Sequence, residues 1–236
     1  MGAPRFFVGT SGYSYKEWKG SFYPDDLPAK KFLHFYGEQF DTVEMNGTFY
    51  RMPTASALAE WTTQVPNEFR FVVKAPQSIT HFKRLRECKE PLAQLLEATA
   101  ALKKQLGPLL FQLPSNFKKD VPRLGDFLKL LPKKLPVAFE FRNQTWFDDE
   151  VMVLLKKHKV ALCIAEAEDD LKTPFEATAD WGYLRLRMAD YTDAELKAWI
   201  KKARDRAWNE MYVFFKHEDE GTGPKFAKRF LKLAGK

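Results

Sequence analysis

Short runs of apolar residues recur along the chain, and polar or turn-forming residues separate them. Eight of these runs are too short for an ordinary helix, are rich in Phe, Val and Leu, and are mostly bounded by Gly, Pro, Asn or Asp. This pattern is typical of buried β-strands. The predicted strands cover residues 5–10, 42–46, 69–75, 108–113, 136–142, 160–165, 181–187 and 211–216.

Segments with helical spacing lie between most of the predicted strands. Residues 91–106 carry a stripe of apolar side chains at helical intervals, and Gly107-Pro108 predicts the end of this helix. Residues 193–207 have the same spacing, and Thr192 or Asp193 is a suitable N-terminal cap. Residues 166–180 are acidic and then contain proline, so we expect no regular helix there.

The alternation of strands with long connections is the arrangement of α/β folds. Eight such units form either a closed TIM-like (β/α)₈ barrel or an open doubly wound sheet. The chain has 236 residues, close to the roughly 250 of a typical barrel of this kind, so we predict the barrel. No linker or compositional break divides the sequence, which predicts a single domain over residues 1–236 with a degenerate unit after the sixth strand.

Polar residues interrupt the predicted strands at their carboxyl-terminal ends, although parallel strands under a helical layer should be apolar on both faces. Within a strand they lie two positions apart, as Glu44 and Asn46 do, and side chains two apart share one face. An outward position would press a charge against the helices. We therefore expect these side chains to point into the mouth of the barrel, where the active sites of such barrels lie. The set is Glu44, Asn46, Lys74, Gln112, Glu140, Arg142, Arg185, Arg187 and Lys216.

Cations outnumber carboxylates at the predicted mouth by five to two. Because charges in a region of low dielectric constant need partners, the surplus predicts a small ligand that carries phosphate or carboxylate. The alternative is an internal network of salt bridges, in which Glu44 faces Lys74 and Glu140 faces the arginines. Glu44 and Glu140 are the candidate general acid and base. Lys74 is a further candidate catalytic residue, as a Schiff-base nucleophile.

Two turns and several residues beside the strand ends extend the predicted site. Gly9-Thr10-Ser11-Gly12 follows the first strand, and Gly221-Thr222-Gly223 opens a helix after the eighth, a place where barrels often bind phosphate. Aromatic residues that follow polar strand ends are candidates for ligand contact. The added candidates are Thr10, Ser11, Tyr13, Tyr50, Arg51, His81, Trp146, His217, Gly221, Thr222 and Gly223.

No cofactor is predicted, because the sequence contains neither a nucleotide-binding glycine motif nor a local metal-binding motif. His81 and His217, together with Glu44 and Glu140, leave a divalent cation open as an alternative. The cations at the mouth disfavour this alternative electrostatically.

Composition narrows the class of protein. Apolar residues make up 45% of the chain, which suffices for a large core. No apolar run approaches the roughly 18–20 residues of a membrane-spanning helix. The first residues show no secretory leader pattern, and the two cysteines form neither a disulfide framework nor a zinc cluster. We therefore expect a cytoplasmic protein that does not enter a membrane.

Sequence motifs spread over nearly the whole chain point to one family. They are Gly9-Thr10-Ser11-Gly12-Tyr13-Ser14-Tyr15, Val43-Glu44-Met45-Asn46, Phe71-Val72-Val73-Lys74, Phe111-Gln112-Leu113-Pro114, Ala138-Phe139-Glu140-Phe141-Arg142 and Tyr183-Leu184-Arg185-Leu186. Together they resemble the DUF72 (YecE-like) family. The resemblance implies a TIM-barrel fold and brings no established activity with it. Two departures add positive charge, since Arg187-Met188 and Lys216-His217 stand where many members have His-Gly and Asn-Asn.

Two functional hypotheses follow. The first is an enzyme, a hydrolase, lyase or isomerase, that acts on a small anionic substrate. In this hypothesis Glu44 and Glu140 transfer protons, while the surrounding cations and the glycine-rich turn hold the anion. The second is a protein that binds or processes nucleic acid, which the net charge of +7 permits. It is the weaker hypothesis, because much of the positive charge lies in lysine pairs on helical segments, away from the mouth.

Overall fold

The strands of the barrel fall where the short apolar runs predict them. The structure is a computed structural model that describes residues 3–166 and 171–236. All eight predicted strands are confirmed, and none of their ends moves by more than two residues. They are β1 (Arg5–Thr10), β2 (Thr42–Met45), β3 (Arg70–Lys74), β4 (Leu106–Gln112), β5 (Val137–Glu140), β6 (Ala161–Glu166), β7 (Trp181–Leu186) and β8 (Glu210–Phe215).

The strands form one parallel sheet in the order β1-β8-β7-β6-β5-β4-β3-β2. The two edge strands then meet through an isolated bridge between Ser11 and Glu44. The backbone N–H of Gly12 also donates to the carbonyl oxygen of Glu44 at 2.8 Å. The sheet therefore curls into a nearly closed barrel, and the prediction of a TIM-like (β/α)₈ fold is confirmed.

Helices on the outside of the barrel connect most of the strands. They are α1 (Phe32–Gln39), α2 (Gly47–Tyr50), α3 (Ala55–Thr62), α4 (Lys89–Thr99), α5 (Val121–Leu128), α6 (Asp149–His158), α7 (Asp193–Arg204) and α8 (Thr222–Ala234). Thr192 caps α7 through a reciprocal arrangement with Glu195, as the sequence predicts. Between β6 and β7, residues 171–180 contain no helix, in line with the expected degenerate unit. Among the described residues, no helix has both the length and the hydropathy needed to cross a membrane.

The helix predicted over residues 91–106 is too long at its C-terminal end. Helix α4 ends at Thr99 and is followed by a tighter 3₁₀ segment, Ala100–Gln105, within which Lys103 leaves helical geometry. Gly107-Pro108 does not stop a helix but lies inside β4. The prediction was wrong here because Leu106 pairs with Phe71 in the parallel ladder, a tertiary contact that overrides local helical spacing.

The core has two layers because alternate residues of each strand face opposite ways. One layer lies between the sheet and the helices and contains, for example, Phe6 and Val8 of β1. The second is a separate cluster inside the barrel: Phe7, Val72, Leu110, Ala138, Ala161, Cys163, Trp181, Tyr183, Tyr212 and Phe214. Positions two residues further along these strands continue the same inward face, and they hold the polar residues of the predicted mouth.

A tyrosine hydroxyl joins β1 to β2 where the barrel closes. Tyr36 of α1 accepts a hydrogen bond from the backbone N–H of Thr10 at 2.8 Å and donates one to the carbonyl of Thr42 at 3.1 Å. Gly9 lies at the same place, where an added Cβ atom would come within 2.1 Å of the carbonyl oxygen of Thr42. We call this line between β1 and β2 the seam.

The close approach at the seam predicts that Gly9→Ala destabilises the protein by about 3 kcal/mol, because the methyl group meets backbone that cannot move aside. Gly47→Ala is the matched control, since a Cβ atom there has no neighbour within 4 Å. The control should change the free energy of unfolding by less than about 1 kcal/mol, in the stabilising direction of a helical alanine. Urea unfolding of the two variants measures the difference, and equal stability would contradict this account of the seam.

Candidate functional site

A buried arginine joins two buried carboxylates at the carboxyl-terminal end of the barrel. Nη1 of Arg185 lies 2.5 Å from Oε2 of Glu140, and its Nη2 lies 2.7 Å from Oε1 of Glu44. All three residues are at most 1% exposed. They come from β7, β5 and β2, so the contact spans the width of the barrel. We call these three residues the central network.

Neighbouring side chains make further contacts with the two carboxylates of the central network. The hydroxyl of Tyr183 donates to Oε2 of Glu44 at 2.5 Å, and burial raises its pKa so far that the phenol stays protonated. Nε of Arg142 lies 2.5 Å from Oε1 of Glu140. The network therefore resembles the internal salt bridges of the structural alternative, except that Glu44 pairs with Arg185 rather than with Lys74.

The surrounding arginines hold Glu140 in its ionised form. Burial alone would raise the pKa of this carboxyl group, but Arg185, Arg142 and Arg187 together outweigh burial and lower it to about 2. Near neutral pH Glu140 consequently has no proton to donate. The sequence leaves open which of Glu44 and Glu140 is the general acid and which the general base, and this environment disfavours Glu140 as the acid.

Lys74 has a different environment from the arginines. It ends β3, is 9% exposed, and its Nζ lies 4.2 Å from the centre of the Phe49 ring. Within the part of the chain that the structure describes, its ammonium forms no ion pair. Burial and the nearby charge of Arg185 lower its pKa to about 8, although Glu44 and Glu140 act in the opposite direction. Lys74 thus exchanges its proton close to physiological pH.

The remaining predicted cations lie around the rim above the central network. Arg142 and Arg187 are half-buried, whereas Lys216 is exposed. Partial desolvation and the neighbouring Arg185 lower the pKa of Lys216. His217 contacts the carbonyl oxygen of Met188 through Nε2 at 2.5 Å.

An open cavity of about 620 Å³ adjoins this rim, and we call it the mouth cavity. Its lining is His81, Gln112, Pro114, Ser115, Asn116, Arg142 and Leu171. His81 contacts Thr80 Oγ1 through Nδ1 at 2.9 Å, and burial together with Lys74 and Arg142 lowers its pKa. The mouth cavity is mostly polar and is large enough for a small metabolite.

A second cavity, of about 550 Å³, lies between the segments that follow β1 and β2, and we call it the side cavity. Three residues of the predicted site line it, namely Tyr13, Asn46 and Arg51. The structure therefore divides the predicted binding residues between two places. His81, Gln112 and Arg142 belong to the mouth cavity, and these three belong to the side cavity.

Three predicted binding residues do not face either cavity. Thr10 is fully buried on the outer face of β1, where its hydroxyl donates to the carbonyl of Gly12 at 2.6 Å. Trp146 is also fully buried, stacks on Phe141 and donates to the carbonyl of Phe117, so it is a packing residue. Tyr50 is 74% exposed and lines neither cavity. Ser11, in contrast, lies beside the central network, 3.5 Å from Nη2 of Arg185.

The glycine-rich turn after β8 is packed against protein atoms. Gly221 has φ +74° and caps α8, and a Cβ atom there would lie 2.4 Å from Oγ of Ser21. A Cβ atom on Gly223 would lie 2.9 Å from the carbonyl oxygen of His217. Close packing explains both glycines, and only Thr222 between them is partly exposed. Anion binding by this turn stays a prediction.

No metal site is assembled in the part of the chain that the structure describes. Among residues 3–166 and 171–236, no three His, Cys, Asp or Glu side chains come together as ligands for an ion. Glu44 and Glu140 instead share Arg185. The acidic residues Glu168, Asp169 and Asp170 lie outside the described residues.

The predicted set of site residues leaves out two residues that shape the site. Tyr183 lies two positions before Arg185 on β7 and therefore shares its inward face, a signal that the strand period already contained. Phe49 packs beneath the Lys74 ammonium from helix α2, after β2. No signal in the sequence indicates this second contact, because it depends on how the segment after β2 folds back over β3.

The central network predicts that Arg185→Met destabilises the protein by roughly 3–5 kcal/mol, because it leaves two buried carboxylates without their shared cation. Adding Glu140→Gln to this variant should recover part of the loss by removing one of the two charges. Arg229→Met is the control, since the pair that Arg229 forms with Asp193 is exposed and should cost about 1 kcal/mol. Denaturant unfolding measures all three, and equal losses in the two arginine variants would refute this account of the network.

The low pKa of Glu140 predicts how stability depends on acid. Its folded pKa of about 2 lies below its ordinary value of 4.5. The stabilisation is therefore complete above pH 4.5 and is lost as the pH falls towards 2. The stability advantage of the wild type over Glu140→Gln should shrink over this interval by about 3 kcal/mol. Glu97→Gln on the exposed face of α4 is the control, and a constant difference for Glu140→Gln would contradict the assignment.

Comparisons with known proteins agree with the fold. The UPF0759 protein YecE of Escherichia coli K12 is 32% identical over 116 residues, which are 49% of this chain and 43% of YecE. The UPF0759 protein YunF of Bacillus subtilis is 24% identical over 230 residues, 91% of this chain and 79% of YunF. The crystal structure of a DUF72 family protein from Thermotoga maritima has a TM-score of 0.88 and 27% identity, covering 98% of this chain and 100% of that one. The family described as "Protein of unknown function DUF72" matches residues 7–236, and the chain therefore belongs to the DUF72 family.

Proposed function

We propose that this protein is an enzyme that binds a small substrate carrying phosphate or carboxylate in the mouth cavity, and that Lys74 exchanges a proton with it. The observation that carries the proposal is the Lys74 ammonium itself. It is buried at the end of β3, lacks an ion pair among the described residues, and has a pKa of about 8. Buried lysines with a lowered pKa are typical of proton transfer and nucleophilic chemistry.

The charge distribution supports an anionic substrate. Arg185 neutralises charge within the central network, because both Glu44 and Glu140 bind it. Lys74 and Lys216 form no ion pair within 4 Å among the residues that the structure describes, so their charges remain to attract a ligand. Arg142 lines the mouth cavity, where a guanidinium group suits a phosphate or carboxylate.

The roles of the carboxylates change accordingly. Glu140 is held ionised between Arg185 and Arg142, and Glu44 accepts hydrogen bonds from Arg185 and Tyr183. In the proposal both groups fix the geometry and the potential around Lys74, and Glu140, which stays ionised, supplies no proton. The proton donor and acceptor of the proposed reaction is therefore the amine, and its cationic neighbours stabilise negative charge that develops on the substrate.

Proton transfer at an atom next to the anionic group suits this arrangement. A pKa of about 8 leaves a useful fraction of Lys74 in its neutral, basic form near pH 7–8. The cations that bind the anionic group also lower the energy of an adjacent carbanion or alkoxide. The reaction is thus of the lyase or isomerase type, in which the same lysine removes and returns a proton.

The first test concerns the protonation of Lys74. In a ¹³C NMR titration of the lysine side chains, one Cε signal should titrate with a midpoint near pH 8, and this signal should be missing from Lys74→Met. The physical reason is that burial and Arg185 both disfavour the charged form. If every lysine signal titrates near its ordinary value of 10.5, the proposal loses its central residue.

The second test concerns the substrate. In a thermal-shift screen of phosphorylated and carboxylated metabolites, at least one compound should raise the melting temperature. Lys216→Gln and Arg142→Gln should each weaken its binding by about tenfold, because a charge-assisted contact is lost. Lys225→Gln on α8 also removes one exposed positive charge, and it should bind as tightly as the wild type.

Lys74→Met separates binding from chemistry. The variant should still bind the compound, since Arg142 and Lys216 remain, but it should no longer exchange a substrate proton with deuterated water. A screen without any hit, or equal weakening by Lys216→Gln and Lys225→Gln, would rule out an anion site at the mouth. Continued proton exchange in Lys74→Met would assign the chemistry to another group.

A further inference from the structure

His81 and Lys74 contact the same aromatic ring at the mouth of the barrel. His81 belongs to a short π-helical turn, Ser78–Phe82, which follows β3, and its half-buried ring lines the mouth cavity. It meets the ring of Phe49 edge to face, with centroids 4.9 Å apart. The ammonium of Lys74 lies 4.2 Å from the centre of this Phe49 ring. One aromatic side chain therefore positions both groups.

The hydrogen bonds of Thr80 determine which nitrogen of His81 carries the proton. Oγ1 of Thr80 lies 3.4 Å from the carbonyl oxygen of Pro76 and 2.9 Å from Nδ1 of His81. Because a carbonyl oxygen only accepts, both contacts are hydrogen bonds only if the hydroxyl donates to Pro76 and accepts from a protonated Nδ1. In a neutral imidazole the other nitrogen, Nε2, then carries a lone pair. It has no partner among the described residues and is the nitrogen that a ligand can use.

The backbone around His81 has an unusual conformation. Turns of the π-helical type are rare and occur frequently at functional sites. Directly after this one, Arg84, Leu85 and Glu87 have positive φ angles of 46°, 67° and 48°, which are unfavourable for residues other than glycine. The N–H of Leu85 donates to the carbonyl of Ile79 at 3.0 Å, and the Leu85 side chain is buried in the core. The fold thus maintains a strained connection next to the residue that faces the cavity.

The charges near His81 keep its ring neutral. Burial and the positive charges of Lys74 and Arg142 lower its pKa from the ordinary value of 6.5, whereas Glu140 acts in the opposite direction. Near pH 7 the imidazole is therefore a neutral base. A proton that it accepts meets the repulsion of the same two cations, so the ring releases this proton readily. Such a residue is suited to passing a proton on rather than to keeping it.

We propose that His81 is the second proton-transfer residue of the mouth cavity and acts on the oxygen atoms of the substrate. Lys74 acts on the neighbouring carbon atoms. A substrate that needs both residues is an α-hydroxy aldehyde or ketone that carries phosphate or carboxylate. This inference rests on the proposed function and narrows its reaction to an isomerisation.

The reaction balances within the substrate. The neutral amine of Lys74 removes the proton from the carbon that bears the hydroxyl group, and the electron pair of this C–H bond forms the C=C bond of an enediol as the carbonyl pair moves onto oxygen. Nε2 of His81 takes the hydroxyl proton and passes it to the former carbonyl oxygen. A new C=O bond then forms at the first carbon, and the C=C pair takes the proton from Lys74 at the second. Both residues regain their starting forms, and no oxidant or reductant is consumed.

The protonation of the His81 ring is tested in the free protein. In ¹⁵N NMR spectra near neutral pH, Nδ1 should have the chemical shift of an N–H nitrogen and Nε2 that of a nitrogen with a lone pair. Both signals should be missing from His81→Phe, which keeps an aromatic ring against Phe49. They should remain in His34→Phe, the control at an exposed histidine of α1. A protonated Nε2 would overturn the proposal.

Two phosphates that differ in one hydroxyl group test the contact with the substrate. Dihydroxyacetone phosphate is a small α-hydroxy ketone, and hydroxyacetone phosphate lacks only its free hydroxyl. In NMR titrations the wild type should bind the first about tenfold more tightly, because Nε2 accepts a hydrogen bond from the hydroxyl. His81→Phe should bind both with the same affinity, whereas His34→Phe should retain the preference.

Deuterium exchange separates this contact from proton transfer. In deuterated water the wild type should exchange a C–H hydrogen of dihydroxyacetone phosphate, and His81→Phe should lower the rate by about a hundredfold. The amide of His81→Gln reaches the position of Nε2 and can accept a hydrogen bond, but it cannot take up a proton. This variant should therefore keep the binding preference and lose the exchange, and it keeps the test informative if His81→Phe does not fold.

The two proposals fail in different ways. If neither phosphate binds, the anion site of the proposed function is wrong, and the isomerisation falls with it. Equal binding of the two phosphates by the wild type, or a preference that persists in His81→Phe, overturns the role of His81 and leaves the anion site in place. Absence of exchange in the wild type, or exchange at the wild-type rate in His81→Gln, likewise overturns proton transfer by His81.

Discussion

The burial of Arg185 between Glu44 and Glu140 is the interaction on which the upper part of the barrel depends. A guanidinium that is 1% exposed requires compensating negative charge. Its two carboxylates come from β5 and β2, which lie on either side of β7 around the barrel. Satisfying it therefore fixes the relative positions of β2, β5 and β7. Because the three charges are buried, they also act strongly on neighbouring side chains such as Lys74 and Lys216. Lys74 is a clear example, because Arg185 helps to lower its pKa while neither carboxylate of the network forms an ion pair with it among the described residues.

The central network changes what the mouth can do chemically. From the sequence, Glu44 and Glu140 are candidates for a general acid and a general base. In the structure, however, the arginines keep Glu140 ionised. In the proposed function the chemistry belongs to the Lys74 amine in a positive environment. A structural network and a catalytic site, which the sequence presents as alternatives, are therefore compatible with each other. In this proposal the salt bridges that stabilise the fold also set the electrostatic potential around Lys74.

Much of the fold and part of the site could be predicted from the sequence, because they depend on local periodicity. Buried parallel strands are short apolar runs, and a period of two placed Glu44, Glu140 and Arg185 on one inward face. The sequence predicts ligand contacts less well for residues in the segments that follow the strands. The sequence makes Trp146 a candidate for ligand contact, yet its side chain fills the core beside Phe141, because a large aromatic residue after a strand end packs equally well on either side. The division into two cavities depends on how the segments after β1 and β2 fold, which no periodicity encodes.

The hydroxyl of Tyr36 at the seam has a mechanical consequence. Seven of the eight strand junctions are ladders of two or more residue pairs, whereas β1 and β2 meet through an isolated bridge and through side-chain contacts such as that of Tyr36. We therefore expect deformation of the barrel to concentrate at the seam, where backbone pairing is sparsest. The segments that follow β1 and β2 beyond the seam also form walls of the side cavity. Because the same two segments border the seam and line the side cavity, any widening of the seam also changes the shape of that cavity.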